Sequence, residues 1–256
     1  MGGGDSAVVV SAGGGASAPV HPGHRVDRQC RPGPTLLPLR RDDDPDQWLE
    51  LAYADDAVVT QINDRRPAGS RLAGSMPTSS ASSTLIVAVM LAALDAHPGH
   101  RVCEIGTGTG YNAALLAHRL GAAQVTSIEV DPDVAAQAHR ALVDTGYGEV
   151  CVIAGDGALG YPTRAPYERI IATAAVHRIP YTWVAQTRPG GRILLPWANN
   201  YTGALVALTV DEHGSARGSI VGESSFIWLR GQRGERRGPV SDVVSLVSSG
   251  RVRHWH

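Results

Sequence analysis

The chain has 256 residues, which is enough for one α/β domain with a sizeable core and some additional sequence. Its formal net charge of −1 gives no overall basic field that would recruit nucleic acid, and no apolar run is long enough to span a membrane. No basic stretch followed by an apolar one marks a signal peptide, so we expect a cytoplasmic protein. The three cysteines are scattered without a C-x-x-C pair, so neither a metal site nor a disulfide framework is predicted.

The N-terminal part of the chain divides into a low-complexity stretch and a stretch with regular periodicity. Residues 1–41 are rich in Gly, Ala, Ser and Pro and show no helix or strand period, so we expect disorder there. Residues 47–53 follow a run of acids and a proline, which is typical of a helix N-terminus. Residues 58–62 read as a short strand. The hydroxyl-rich run 78–84 is expected to cap an apolar helix at 85–94.

Strands and helices alternate from residue 102 onwards. Buried apolar runs separated by helical periods predict a parallel sheet with helices on both faces. Two later apolar runs predict an antiparallel hairpin that completes the sheet. The predicted strands are 102–105, 125–130, 150–153, 167–173, 191–196, 203–210 and 219–229, and the predicted helices are 111–120, 132–145 and 180–187.

The first of these strands ends in a glycine-rich turn, since residues 102–111 read VCEIGTGTGY. Glycines let the backbone approach a ligand closely because they carry no Cβ and tolerate positive φ. The third glycine comes too early for the dinucleotide pattern G-x-G-x-x-G. An acid, Glu129, ends the next strand about 20 residues further on, the spacing at which such an acid meets ribose hydroxyls. The turn therefore indicates a nucleoside cofactor, with a plain strand–helix turn as the alternative.

Acids at successive strand ends narrow the choice of cofactor. Glu104 precedes the glycines within the first strand, and Asp156, in a Gly-Asp-Gly run, follows the third. An acid in the latter place can accept a hydrogen bond from an adenine amino group, although Gly-Asp-Gly also suits a plain Asx turn. An acid, a glycine turn and two further acids at successive strand ends resemble the arrangement in S-adenosylmethionine (SAM) methyltransferases.

The chain resembles the protein-L-isoaspartate O-methyltransferase family over roughly residues 45–231. The matching segments are AYAD at 52–55, EIGTGTGY at 104–111, SIE at 127–129, GDG at 155–157 with Gly160, APY at 165–167, TAA at 173–175 with IP at 179–180, and PGGR at 189–192 with Pro196. The resemblance implies a Rossmann-like class I methyltransferase with a mostly parallel seven-stranded sheet and a C-terminal antiparallel hairpin. It also implies SAM as cofactor and a peptide carboxylate as acceptor.

The resemblance further implies which residues form the site. Ser82 matches the family's catalytic serine, but the Gln-Pro that usually follows is replaced by Ser83-Thr84. The implied cofactor-binding residues are Glu104, Ile105, Gly106, Thr107, Gly108, Gly110, Tyr111, Glu129, Val130, Asp156, Gly157 and Thr173. The candidate acceptor-binding residues are Ser80, Ser83, Ala174, Ala175 and His177. Ser82 is also placed to cap the helix that follows, and a lone histidine is more often structural than functional.

Three functions fit these residues. The first is carboxyl methylation of isoaspartyl residues in damaged proteins, giving an ester that collapses to a succinimide. The second is tailoring of one aspartate in a modified precursor peptide, because the serine-rich stretch and the Asp-Pro-Asp-x-Trp run at 44–48 resemble a bacterial branch of the family that acts on ribosomally made peptide natural products. The third is a SAM-binding module without catalysis. We expect a monomer with a peptide or protein substrate, no metal, and no nucleic-acid or membrane partner. The methyltransferase domain is placed at 42–231, and residues 232–256 form a tail, either a short helix or disordered.

Overall fold

The computed structural model describes residues 7–11, 36–65, 76–199 and 202–233. These residues pack as two compact units, and the boundary between the units falls between Ser83 and Thr84. In the described part of the chain no helix is long and apolar enough to cross a membrane. The tail predicted at 232–256 lies outside the described residues beyond Arg233. The domain bounds 42–231 stay a prediction.

The first unit contains a four-stranded antiparallel sheet and one helix. The sheet has the order β2-β1-β3-β4. Helix α1 begins after Asp44, whose side chain accepts a hydrogen bond from the Gln47 N–H (2.9 Å), as the acidic run predicts. The elements are β1 (Ala7–Ser11), β2 (Leu36–Arg40), α1 (Pro45–Tyr53), β3 (Val58–Ile62) and β4 (Pro77–Ala81).

Strands β1 and β2 lie within residues 1–41, where the composition predicts disorder, so that prediction is wrong for these two strands. The sequence of β1 contains three consecutive valines, and β-branched residues favour extended backbone. β2 provides the antiparallel partner, with Ala7 opposite Arg40 and Ser11 opposite Leu36. The pairing joins segments far apart in the sequence, which a local composition pattern does not reveal.

The hydroxyl-rich run before the first long helix forms strand β4 rather than a helix cap alone. It pairs antiparallel with β3. Thr78 donates to Gln61 Oε1 at 2.8 Å, and both side chains are buried. Thr60 donates to Ser79 Oγ at 3.1 Å. The hydroxyl groups thus form cross-strand hydrogen bonds, which is why a polar run is stable as a strand here.

The second unit contains a seven-stranded sheet with helices, and it confirms the predicted α/β class. The order is β11-β10-β9-β8-β5-β6-β7, in which strands β5 to β9 pair parallel and β10 and β11 pair antiparallel. The elements are α2 (Thr84–Leu94), β5 (Val102–Ile105), α3 (Tyr111–Leu120), β6 (Val125–Glu129), α4 (Pro132–Asp144), β7 (Cys151–Ala154), β8 (Tyr167–Ala172), α5 (Tyr181–Ala185), β9 (Thr187–Ala198), β10 (Gly203–Val210) and β11 (Ala216–Glu223).

The largest differences between the predicted and the observed strand boundaries in this sheet are at the start of β9 and the end of β11. β9 starts at Thr187 rather than at residue 191, because Thr187 pairs in parallel with Tyr167 and the register shifts before Arg169. The Pro-Gly-Gly run that reads as a break is accommodated inside the strand. β11 ends at Glu223, ahead of the predicted end at residue 229.

The central strands lie at the point where the strand order reverses. The chain passes from β5 outward to β6 and β7, then returns to β8 on the other side of β5. In open α/β sheets a crevice forms at such a point, outside the carboxyl ends of the strands, and ligands bind there. All four residues of β5 are buried, as expected for a parallel strand covered on both faces.

Close strand approach at Gly218 gives a test of the β10–β11 pairing. A Cβ at Gly218 would lie 1.8 Å from the Ala207 carbonyl oxygen, whereas a Cβ at Gly222 on the same strand meets nothing nearer than 4.0 Å. We expect Gly218→Ala to lower the free energy of unfolding by about 1–3 kcal/mol, because backbone must shift. Gly222→Ala should leave it unchanged or slightly raised. Equal denaturant midpoints for the two variants would contradict the packing described.

Candidate functional site

The glycine-rich turn connects β5 to α3 with all three of its glycines at positive φ. Gly106 has a φ of 98°, and a Cβ there would lie 2.6 Å from Thr173 Oγ1, so only glycine fits. The Thr173 hydroxyl donates to the Gly106 carbonyl oxygen at 2.6 Å. The Gly106 N–H donates to the Ile128 carbonyl oxygen at 2.8 Å. These contacts hold the start of the turn between the ends of β6 and β8.

Glu104 is fully buried beside the turn. Its Oε1 accepts a hydrogen bond from Asn112 Nδ2 (2.7 Å), and its Oε2 accepts one from Ser127 Oγ (2.5 Å). Burial raises the pKa of Glu104 to about 7; the hydrogen bonds from Ser127 and Asn112 lower it, and the charge of Glu129 raises it. The carboxyl group therefore changes charge near neutral pH.

Two further groups extend this network. The Thr107 hydroxyl lies 2.6 Å from Ser127 Oγ. Because Ser127 uses its proton for an ionised Glu104, the Thr107 hydroxyl is then the donor of that pair. Asn112 is 8% exposed, and within the described part of the chain its Oδ1 has no hydrogen-bond partner. A buried acceptor without a donor, next to a carboxylate, is suited to a cationic or N–H-bearing ligand group.

Glu129 ends β6, as predicted, and its side chain binds two backbone N–H groups. Oε2 accepts from the Gly108 N–H (3.0 Å) in the glycine turn, and Oε1 accepts from the Asp131 N–H (3.1 Å). Asp131 in turn caps α4 by accepting from the Asp133 and Val134 N–H groups. Glu129 is 9% exposed. The acid is therefore held in a fixed position at the carboxyl edge of the sheet, while Val130 beside it is partly exposed.

Asp156 and Gly157 lie in the turn after β7. The exposed Asp156 side chain accepts a hydrogen bond from the Ala158 N–H at 2.9 Å, which is the plain Asx-type turn considered above. Gly157 is buried, and its carbonyl oxygen accepts a bond from Trp183 Nε1 at 2.8 Å. The structure thus places both residues on the same edge as Glu129 and leaves the adenine contact of Asp156 a prediction.

The residues after β8 are held by backbone contacts. The Ala175 N–H donates to the Ile227 carbonyl oxygen and the Leu229 N–H donates to the Ala175 carbonyl oxygen, both at 2.8 Å. The His177 ring makes an edge contact with the Trp228 ring, at 6.1 Å between centroids. Ala174 is half-buried. The Thr-Ala-Ala run therefore adjoins the chain segment that follows β11.

The candidate serines belong to the first unit, whereas the carboxyl edge of the seven-stranded sheet, here termed the cofactor edge, belongs to the second. Ser80 lies in β4, opposite Val59 of β3. Ser82 and Ser83 follow β4 and directly precede α2, and both are half-buried. α2 begins at Thr84, so Ser83 rather than Ser82, the cap candidate from the sequence, directly precedes the helix.

Sequence reasoning missed three polar residues that complete the cofactor edge, namely Asn112, Ser127 and Asp131. A signal exists for two of them. Ser127 is a polar residue in an otherwise apolar buried strand, and Asp131 precedes a proline at a helix start. No sequence signal identifies Asn112, because its hydrogen bond to Glu104 becomes visible only in the folded structure. In the described part of the chain, no group of three or more His, Cys, Asp or Glu side chains could hold a metal ion.

The family model for protein-L-isoaspartate(D-aspartate) O-methyltransferase matches residues 44–234. The chain belongs to this family. A protein-L-isoaspartate O-methyltransferase 2 from Archaeoglobus fulgidus is 40% identical over 154 residues, covering 60% of this chain and 70% of that protein. A protein-L-isoaspartate O-methyltransferase from Hyperthermus butylicus is 34% identical over 201 residues, covering 75% of this chain and 77% of that protein.

Solved structures agree with the sequence relatives. A protein-L-isoaspartate O-methyltransferase structure superposes with a TM-score of 0.60 at 28% identity, covering 70% of this chain and 54% of that chain. A Plasmodium falciparum protein assigned to the same class, in complex with S-adenosyl-L-homocysteine, has a TM-score of 0.56 at 16% identity and shows the fold alone. The chain has a Rossmann-like methyltransferase fold, and it is a SAM-dependent carboxyl O-methyltransferase.

The side chains at the carboxyl edge fit this cofactor. The absence of a Cβ at Gly106 lets the glycine turn pack directly against Thr173. The buried Asn112 Oδ1 offers a free acceptor, and the carboxylates of Glu104 and Glu129 favour a positively charged ligand. The edge therefore combines a close backbone approach, acceptors and negative charge, which a sulfonium-bearing nucleoside requires.

The buried carboxyl group of Glu104 predicts a pH-dependent stability. Its pKa of about 7 in the folded state exceeds the ordinary value of 4.5, so the folded state binds more protons between pH 4.5 and 7. Its contribution is therefore fully present below pH 4.5 and is lost as the pH rises through 7, by about 3 kcal/mol at 1.36 kcal/mol per pH unit.

Glu104→Gln should remove this loss. The difference in free energy of unfolding between wild type and Glu104→Gln is expected to change in favour of the variant between pH 5 and 8, measured by denaturant titration. The exposed Glu149→Gln is the matched control and should show a constant difference. A constant difference for Glu104→Gln as well would contradict the raised pKa.

Proposed function

We propose that this chain methylates the free carboxylate of isoaspartyl residues in peptides and proteins, with SAM as the methyl donor. The observation that carries this proposal is that the family match at 44–234 spans both units. It includes the cofactor edge of the second unit and the serine segment 77–83 of the first. A match confined to the second unit would have supported a general SAM-binding fold and no particular acceptor.

The acidic residues at the carboxyl edge of the sheet make most of the proposed contacts with the cofactor. Glu129 binds the ribose hydroxyls, because its position at the end of β6 is the one such an acid takes in nucleotide-binding sheets. Asp156 receives the adenine amino group. Glu104 and Asn112 provide the negative charge and the free acceptor for the ammonium group. Gly106, Gly108 and Gly110 let the backbone of the turn approach the ligand. When bound, SAM supplies an electrophilic methyl group on a sulfonium.

The protein's part in the reaction is orientation and exclusion of water. A peptide carboxyl group has a pKa near about 4, so it is ionised at neutral pH and needs no general base. Aligned approach of two bound reactants supplies several kcal/mol of the barrier. We assign Ser82 the hydrogen bond that aims the acceptor carboxylate, with Ser80 and Ser83 as alternatives and Ala174, Ala175 and His177 as further acceptor contacts. The ester loses methanol when the next backbone amide nitrogen attacks it, giving a succinimide.

The presence of Ser83-Thr84 in place of the family's Gln-Pro is the reason to test a second candidate acceptor, one aspartate of a modified precursor peptide. Residues after the catalytic serine help to shape the acceptor pocket in the family, and this chain has Ser-Thr where Gln-Pro is usual. Proline removes an N–H and fixes φ, so its absence changes the backbone entering α2. An enzyme specific for one aspartate of a modified precursor peptide would show activity on that precursor alone.

Matched peptides that differ only in an isoaspartyl or aspartyl linkage test the acceptor. We expect methyl ester, then succinimide, to form from the isoaspartyl peptide when the full chain is incubated with SAM, followed by mass spectrometry. The aspartyl peptide should react at least about tenfold more slowly. Ester on a precursor aspartate but on no isoaspartyl peptide would support the tailoring function. Binding of S-adenosylhomocysteine without any methyl transfer would favour the non-catalytic module.

The monomeric state and the cytoplasmic location both stay predictions. Gel filtration with light scattering tests the first of them.

A substitution at Ser82 can distinguish a hydrogen bond to the acceptor carboxylate from a purely structural role before α2. Ser82→Ala should lower kcat/KM for the isoaspartyl peptide by about 10- to 100-fold, since a hydrogen bond to a charged group is worth about 1.5–3 kcal/mol. The affinity for S-adenosylhomocysteine should be unchanged. Ser79→Ala is the control, because the Ser79 hydroxyl pairs with Thr60 inside the sheet. Unchanged turnover in Ser82→Ala would show that the serine is structural and would direct attention to Ser80 or Ser83.

A further inference from the structure

The segment Ile227–Arg233, here termed the strap, follows β11 and runs along the carboxyl edge of the second unit's sheet. Its first residues pair with Ala175 through two backbone hydrogen bonds of 2.8 Å. Leu229 is 7% exposed, and a Cβ built at Gly157 would lie 3.6 Å from its Cδ1. The same Cβ would lie 2.4 Å from the side chain of Ile105, the last residue of β5. The strap therefore packs against the edge that carries the glycine turn.

Two side chains fasten the far end of the strap. Gln232 Oε1 accepts from the N–H groups of His177 (2.9 Å) and Arg178 (3.2 Å), and its Nε2 donates to the Arg178 carbonyl oxygen at 2.8 Å. Arg230 Nη2 lies 3.7 Å from Asp131 Oδ2, and these side chains are 27% and 11% exposed. One attachment reaches the loop after β8 and the other reaches the residue that caps α4 after β6.

These two attachments lie on opposite sides of β5, because β6 and β8 are its two neighbours in the sheet. A segment fixed at both points crosses the carboxyl end of β5, where the glycine turn begins. The Asp131 N–H also donates to Glu129, so the ion pair joins the strap to the acid assigned to the ribose. The strap therefore lies beside the crevice assigned to the nucleoside.

We propose that the strap retains the cofactor and that Arg230, acting through Asp131, is a positioning residue that sets the rate of cofactor release. The proposal rests on the cofactor crevice assigned above. Arg230 and Gln232 attach the strap in different ways. The first attachment is ionic and partly exposed, so salt weakens it. The second is a set of neutral hydrogen bonds, which salt affects little.

Release of S-adenosylhomocysteine from the full chain, followed by stopped-flow competition, tests the proposal. Arg230→Gln should release it about 3- to 10-fold faster, with unchanged association rate and unchanged thermal unfolding of the ligand-free protein. Arg230→Lys should stay near the wild-type rate, because the charge is kept. Added salt should speed release from wild type but not from Arg230→Gln. Gln232→Ala should also release faster while keeping the salt response. The exposed Arg217→Gln on β11 is the control.

The proposal would be overturned if Arg230→Gln released S-adenosylhomocysteine at the wild-type rate. It would also be overturned if added salt changed the release rate of Arg230→Gln as much as that of the wild type. A slower association with unchanged release would also overturn it, because that result indicates steering of the ligand. Glu129→Ala separates this failure from a failure of the crevice itself. If Glu129→Ala abolishes binding while Arg230→Gln has no effect, the crevice stands and the strap does not control release. If Glu129→Ala binds normally, the assigned crevice is wrong.

Discussion

A carboxyl group without solvent contact in the central strand is the constraint on which the cofactor edge depends. Glu104 lies in β5, so it can be stabilised only by groups that its neighbours bring to it. Ser127 on β6 and Asn112 on α3 supply those hydrogen bonds. Leaving a buried polar group without its hydrogen-bond partner costs about 1–3 kcal/mol, so residues 112 and 127 cannot be chosen independently of residue 104. An apolar residue in β5 would be the simpler choice for stability, which points to a functional reason for the acid.

The same edge depends on two side chains that hydrogen-bond to the backbone of the glycine turn. Thr173 after β8 contacts Gly106 after β5, and Glu129 after β6 binds the Gly108 N–H. The glycine turn is therefore held from both sides by residues that follow the two neighbouring strands. A turn held in this way is preorganised, so ligand binding requires little further ordering of backbone.

Sequence patterns predict the parts of this fold whose signals are local. β5 and α3 end where predicted and β6 ends within one residue of its predicted end, because a buried apolar run, a glycine turn and a helical period each act within a few residues. Strand β4 shows the limit. Ser and Thr suit both a helix cap and a strand, and the pairing with β3 that decides between them is non-local. The partners of Glu104 could not be predicted for the same reason, since residues 104, 112 and 127 meet only in the folded sheet. The strap was likewise hidden, because Gln232 meets His177 only in the folded chain.

The negative charges at the carboxyl edge of the sheet affect the relative affinity for SAM and S-adenosylhomocysteine. Glu129, Asp156 and the ionised form of Glu104 place negative charge at the carboxyl edge, and Arg230 lies 3.7 Å from Asp131. SAM carries a sulfonium charge that S-adenosylhomocysteine lacks, so the acids favour the methyl donor over the spent product by simple Coulomb attraction. The same acids repel a carboxylate acceptor. In the proposed function, an acceptor site built from hydroxyl groups, the role assigned to Ser80, Ser82 and Ser83, would avoid this conflict, because hydroxyl groups donate to an anion without adding charge.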